Sequence, residues 1–319
     1  MDKAARTRCS ARLAALAWLT VLVLSAPPCR TQEKKPGLEY QVSVSAISIA
    51  VTVQGKDGRY INDLTQEDFT VYENESKQSI SYFQHDFEAP LSLTILLDVS
   101  GSMGLQDKLK DSREALRDFV SGLLRPQDEV SLLVFADGEV EVAAPFSSDK
   151  TLCLAELAKA EAYGQTALND AVAVSPEFAN RGKNEKRAIL LITDGIENDS
   201  QASVDQAVEI ARRVDVPIFT VGYKIPLSEE FLRKYKKTST LTSAGIVSAL
   251  ERFSRATGGR LQVATDPREL AAAFREIKRE LGHQYIIGYT SYKSPKNEYR
   301  RIRVITTNKK HKVRTREGY

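Results

Sequence analysis

The spacing of hydrophobic positions changes twice along this 319-residue chain. Between residues 40 and 53, Val42, Val44, Ile47, Ile49, Val51 and Val53 fall largely on alternate positions, which predicts a strand. Lys56-Asp57-Gly58-Arg59 supplies a turn, and short strands are predicted at 70–72 and 78–83. This opening stretch of about fifty residues is all β and too small to enclose a core alone. After Pro90 the rhythm changes. Residues 91–97 form a near-continuous apolar run, the pattern of a strand buried on both faces of a parallel sheet. Helical spacing follows at 106–124, 152–160, 167–178, 204–214, 246–256 and 268–281, interleaved with strand patterns at 130–135, 140–144, 188–192, 218–221 and 261–264. Past Gly282 the chain returns to β at 285–289, 301–306 and 312–316. The predicted fold class is α/β. A doubly wound, mostly parallel open sheet spans 90–282, inserted between two β segments, 37–89 and 283–319, that pair as one small sandwich.

The first 31 residues stand apart. Lys3, Arg6, Arg8 and Arg12 precede a predominantly apolar run from Leu13 to Leu24, which is followed by Ser25-Ala26-Pro27-Pro28-Cys29. A basic start, a short apolar stretch and small residues predict a secretory signal peptide over 1–31, and the run is shorter than the roughly 20 residues of a membrane span. The prolines leave the cleavage point open, and Pro28 before Cys29 is a poor match to a lipid-attachment signal. The expected location is outside the cytoplasm: periplasmic, cell-surface or secreted.

Charge sharpens this picture. The chain has 45 basic and 42 acidic residues; without the five basic residues and one acid of the leader, 40 face 41, a net of −1. Residues 296–319 hold nine Lys and Arg against two acids, so the body between carries about −8. This balance argues against a globally basic nucleic-acid binder. The basic C-terminal strands are expected to present a solvated face, with contact to anionic surfaces as the alternative. Cys153 alone remains in the mature chain, so no internal disulfide and no Cys-based metal site is available, and its apolar neighbours Leu152 and Leu154 predict a buried thiol.

Open α/β sheets bind ligands at the carboxyl ends of their strands. There the first long strand ends in Asp98-Val99-Ser100-Gly101-Ser102, whose alternate side chains project together if the backbone stays extended. Another strand ends in Thr193-Asp194-Gly195, and Gly164-Gln165-Thr166-Ala167 leads into a helix. Singly, each feature has an ordinary reading: Thr166, Ser100 or Ser102 as helix caps, Asp194-Gly195 as a turn. Together, two carboxylates and three hydroxyls without His or Cys are donors for a hard cation. With only two protein charges, a divalent ion would leave the site near neutrality with a coordination position open.

These residues resemble a von Willebrand factor type A domain over Pro90 to Leu281. Asp98, Ser100 and Ser102 match that family's D-x-S-x-S, Thr166 its isolated threonine and Asp194 its aspartate after the central strand. The flanks, including Asp63-Leu64-Thr65-Gln66-Glu67-Asp68-Phe69 and Gln284-Tyr285-Ile286-Ile287-Gly288-Tyr289, resemble secreted bacterial proteins related to that family and frequent in acidobacteria. The resemblance implies a metal-ion-dependent adhesion site. Ser100, Ser102 and Thr166 would contact Mg²⁺ (Mn²⁺ or Ca²⁺ as alternatives), Asp98 and Asp194 would stand close by or bridge through water, and an Asp or Glu of a protein ligand would complete the shell.

Enzyme readings fit less well. The Asp98-Val99-Ser100 start lacks the second aspartate of a haloacid dehalogenase-like phosphatase, since Ser100 cannot protonate a leaving group. The only histidines, His85, His283 and His311, fall outside the α/β body, and no G-x-S-x-G or P-loop occurs. The expected function is that of a secreted, cation-dependent protein-binding or adhesion module and not an enzyme. The alternative is a structural or envelope-assembly protein with a stabilising or vestigial metal site.

Overall fold

The computed structural model describes residues 43–85, 87–226, 242–293 and 299–319. All of them lie in one compact unit, Gln41–Tyr319. The leader over 1–31 lies outside the described residues.

The α/β body is built on β5 (Leu91–Asp98), in which all eight residues are buried. Its neighbours are β6 (Glu129–Ala136), β7 (Glu139–Ser147), β8 (Lys186–Thr193), β9 (Ile218–Tyr223) and β10 (Leu261–Ala264), in the order β10-β9-β8-β5-β6-β7. Every pair is parallel except β6 with β7, which hairpin through Asp137-Gly138. Helices cover both faces because the strand side chains alternate. Leu93, Ile95 and Leu97 pack with α1 (Lys108–Gly122), α2 (Thr151–Lys159) and α6 (Pro267–Leu281). Leu96, Ile189 and Leu191 pack with α3 (Leu168–Ala179), α4 (Val204–Ala211) and α5 (Ser243–Thr257). Cys153 is buried in the first of these cores, where burial pushes its thiol up to about 11. Burying both faces of the central strands is the main stabilising term, at about 25 cal/mol per Å² of apolar surface.

The chain outside this body forms two antiparallel sheets, each assembled from both ends of the sequence. Residues preceding the body supply β1 (Ser43–Gln54), β2 (Phe69–Glu73), β3 (Ser76–Gln78) and β4 (Ile80–His85). Residues following it supply β11 (Gln284–Lys293), β12 (Ile302–Thr306) and β13 (Lys312–Arg314). One sheet runs β13-β1-β11-β4 and the other β12-β2-β3. They share a core in which Ile49, Val51 and Val53 meet Val71, Tyr285 and Ile287. The single strand expected over 78–83 is instead two strands. The chain leaves one sheet at Gln78 and enters the other at Ile80, the corner that a sandwich needs.

The joint between the two parts is polar. Buried Glu280 near the end of α6 pairs with Arg314 of β13 at 2.9 Å, and the neighbouring Glu276 accepts a bond from the Tyr60 hydroxyl at 3.0 Å. Arg316 pairs with Asp215 at 3.1 Å across the same joint, while within the sandwich Arg300 pairs with buried Glu73. Much of the basic C-terminal charge is therefore matched by acids inside the molecule, while Lys309, Lys310 and Lys312 are exposed.

Candidate metal centre

Strand order creates the site. Because β5 and β8 are adjacent and parallel, Asp98 and Asp194 emerge together at their carboxyl ends, and both are fully buried. The Asp98 carboxylate accepts bonds from the Ser100 amide at 2.9 Å and the Thr193 hydroxyl at 2.6 Å. The Asp194 carboxylate accepts from the Ile196 amide at 3.0 Å. Gly195 lets the chain turn away at φ +76°, and a Cβ there would lie 2.3 Å from Ile246.

Ser100 and Ser102 converge by a different route from the one expected. The extended backbone stops at Ser100, and the 3₁₀ segment Gly101–Asp107, kinked at Leu105 and Gln106, begins there, so Ser102 reaches the pocket through a turn and not through strand alternation. Their hydroxyl oxygens sit 3.2 Å apart, with Ser100 buried and Ser102 nearly so. The helix expected from residue 106 begins at Lys108, because Gln106 and Asp107 take left-handed backbone at φ +55° and +57°.

Thr166, 1% exposed, arrives on a loop stitched to both aspartate-bearing segments through the backbone. The Tyr163 amide donates to the Val99 carbonyl at 2.8 Å and the Gly101 amide to the Gly164 carbonyl at 3.0 Å. Thr166 donates its own amide to the Asn198 side chain at 2.8 Å, and its carbonyl accepts from the amides of residues 198 and 199. Gly164 is required here: its φ is +68°, and a Cβ would stand 2.2 Å from the Asp137 carboxyl that anchors the Gln165 amide.

The capping alternative fails for all three hydroxyls. The N-cap of α3 is Ala167 and that of α1 is Asp107, neither with a side-chain cap bond, and Ser100 makes none to the 3₁₀ turn. Asp194, by contrast, does serve its local turn through Ile196.

Two residues of the pocket were not singled out from the sequence. Lys108, 1% exposed, places its ammonium 2.7 Å from the Asp194 carboxylate and 3.3 Å from the Ser102 carbonyl. The available signal was helical phase: Lys108 lies four residues before buried Ser112 and eight before buried Leu116, on the inward stripe of α1. Thr193 was also missed, being read only as the end of a strand.

Lys108 corrects the expected charge balance. Among the described residues, two carboxylates lie here with one ammonium, a balance one positive charge short without a metal and one in excess with a divalent ion. Burial, and then the charge of Asp194, raise the Asp98 carboxyl well above its ordinary range. The donor set fits a small hard cation. The Ser100–Ser102 separation is close to the roughly 3.0 Å edge of an octahedron with 2.1 Å metal–oxygen distances. Among the described residues, no group of three or more His, Cys, Asp or Glu side chains gathers to hold a metal, so any ion here would depend on hydroxyls and water.

Residues 93–197 match the family model of the von Willebrand factor type A domain, and the matched segment contains Asp98, Ser100, Ser102, Thr166 and Asp194. This part of the chain is a von Willebrand factor type A domain. An uncharacterized protein of Borreliella burgdorferi is 26% identical over 206 residues, 60% of this chain and 59% of the relative. The chain thus spans less than two thirds of that relative's length. Among solved structures, the conserved hypothetical protein BatB from Bacteroides thetaiotaomicron is 20% identical, with a TM-score of 0.46 over 60% of this chain and 98% of that one. The pilus adhesin SpaC from Lactobacillus rhamnosus GG, in its open conformation, is 9% identical, with a TM-score of 0.50 over 84% of this chain and 42% of that one. The likeness to SpaC is one of fold alone.

Proposed function

We propose that this protein is an exported protein-binding or adhesion module whose von Willebrand factor type A domain captures a protein ligand through a divalent cation. The observation that carries the reading is the pocket itself. Two buried carboxylates with a single buried ammonium lie beside hydroxyls that cap no helix, at the end of the sheet where such folds bind ligands. Ser100, Ser102 and Thr166 would hold Mg²⁺, with Mn²⁺ or Ca²⁺ as alternatives, and Asp98 and Asp194 would orient its water. Bound there, the ion would present a Lewis-acidic position to an Asp or Glu of the partner. Asp98, tied to the Ser100 amide and the Thr193 hydroxyl, keeps β5 and β8 in register around the pocket.

A binding role is proposed in preference to catalysis. The three histidines lie in or beside the β sandwich, His85 on β4, His283 before β11 and His311 before β13, so the pocket has no imidazole base. Export rests on the sequence of residues 1–31. Among the described residues, no helix is long and apolar enough to cross a membrane. Among the described residues, exposed Arg301, Lys309, Lys310 and Lys312 would be the ones to meet an anionic surface, and nucleic acid is not a proposed partner.

The test is a pull-down from the source organism's envelope in Mg²⁺, eluted with EDTA. Retention of EDTA-sensitive capture by Asp98→Ala and Asp194→Ala would overturn the reading. The Lys108–Asp194 pair favours a second reading, a structural protein whose metal site only stabilises, because that pair already holds Asp194 without an ion. Thermal melts with and without Mg²⁺ separate the two: stabilisation without EDTA-sensitive capture favours the structural role.

A further inference from the structure

We infer that Lys108 is a built-in competitor for the divalent cation, a positioning residue that holds the pocket folded without metal and weakens metal affinity. This rests on the metal reading above. A lysine is among the side chains least often buried, and burying an ammonium requires a paired anion. Lys108 is buried at the first position of α1, with its ammonium on the Asp194 carboxylate at 2.7 Å and the Ser102 carbonyl at 3.3 Å. It reaches that point because Leu105-Gln106-Asp107 departs from helical backbone, with left-handed φ at Gln106 and Asp107, before the helix starts. A helix running continuously from the 3₁₀ turn would place residue 108 elsewhere on its circumference.

The consequence is electrostatic. The ammonium occupies one oxygen of Asp194 and lies against the backbone of Ser102, two residues assigned to the metal. A divalent ion entering beside it meets a positive charge among buried side chains, where repulsion is screened less than at a surface. The loaded pocket would then carry one excess positive charge, which a carboxylate of the partner would neutralise. Lys108 would thereby make the ion and the partner's acid bind better together than the ion binds alone, a coupling that is reciprocal by linkage.

The experiment uses the full chain and the metal alone. Mn²⁺ is titrated by calorimetry and by loss of its free electron-spin-resonance signal, and thermal melts are recorded in EDTA and in Mg²⁺. Lys108→Met removes the charge, Lys108→Gln removes it but keeps a polar contact to Asp194, and Lys108→Arg keeps it. The expected result is Mn²⁺ affinity roughly tenfold or more higher in Lys108→Met and Lys108→Gln, with Lys108→Arg near wild type. Both neutral variants should melt below wild type in EDTA and gain more from Mg²⁺. If Lys108→Met does not fold, Lys108→Gln makes the same comparison. Neutral variants that bind Mn²⁺ no tighter than wild type, or a Lys108→Arg variant that tightens equally, would overturn the inference alone, provided Asp98→Ala abolishes wild-type binding. If the wild type takes up no Mn²⁺, or Asp98→Ala leaves uptake unchanged, the metal reading falls and this inference with it.

Discussion

Two buried acidic clusters occupy the two halves of this molecule, and they are closed differently. In the β sandwich, Glu73 accepts bonds from the hydroxyls of Tyr289 at 3.0 Å, Ser291 at 2.8 Å and Tyr319 at 2.8 Å, and pairs with Arg300. Every partner is a donor, and one cation meets one anion. Burial by itself would push the Glu73 carboxyl upward, yet Arg300 and the hydroxyls outweigh it and hold the carboxyl below its ordinary 4.5. In the α/β body, the Lys108 ammonium sits on Asp194 alone of the two carboxylates, and burial and the Asp194 charge raise the Asp98 carboxyl. The first cluster is complete and serves the fold. The second is one charge short and is open to a cation. The contrast lies in the count of charges and donors around each acid, since both acids are buried.

The comparison is broken most severely at Glu73. Glu73→Ala would remove the carboxylate that pairs with Arg300, 17% exposed, and accepts from the Tyr289 hydroxyl. Loss of one partner from a buried pair costs about 3–5 kcal/mol, so urea unfolding should show a loss of that order with no recovery in Mg²⁺. A cost below about 1 kcal/mol would mean that the cluster is not closed as described. Next in size, Asp98→Asn should behave oppositely. Removing one of two like charges should leave stability in EDTA within about 1 kcal/mol of wild type, while Mg²⁺-dependent capture falls roughly tenfold or more. Unchanged capture would place the two clusters in the same class.

Acid sharpens the contrast at smaller scale. Because the folded Glu73 carboxyl lies below its ordinary 4.5, the unfolded chain binds the extra proton. Its stabilisation is present above that value and is lost as pH falls toward the folded value. Glu73→Gln should flatten the decline of melting temperature over that acid window, and an identical slope in wild type and variant would contradict the assignment. The smallest effect belongs to exposed pairs such as Arg255–Glu317, whose side chains are 61% and 47% exposed. Arg255→Ala should change stability by less than about 1 kcal/mol, and less still in high salt. A larger loss would show that the joint between sandwich and body depends on its rim.

Much of this architecture was legible in the sequence because its signals are local. The apolar run over 91–97 announced a strand buried on both faces, the alternation of strand and helical periods announced the parallel sheet, and the phase of 268–281 announced the final helix, observed as α6. Asp98, Ser100, Ser102, Thr166 and Asp194 could be named as candidates because they follow predicted strand ends or precede a helix. The same local rules failed at Ser79, where one β pattern serves two sheets, and at Gln106-Asp107, where residues compatible with helix take left-handed backbone.

By itself, then, the sequence determined the period of each element, the exposure expected of its two faces and the residue types available at strand ends. All of these depend on neighbours two to four positions apart. Only the tertiary structure decided which charges meet. Lys108 reaches Asp194 across 86 positions because β5 and β8 are adjacent, and Glu73 meets Tyr289 and Tyr319 across 216 and 246 positions because both chain ends share one sandwich. Periodicity constrains a side chain's direction but not its partner, and a buried charge takes its energy from its partner.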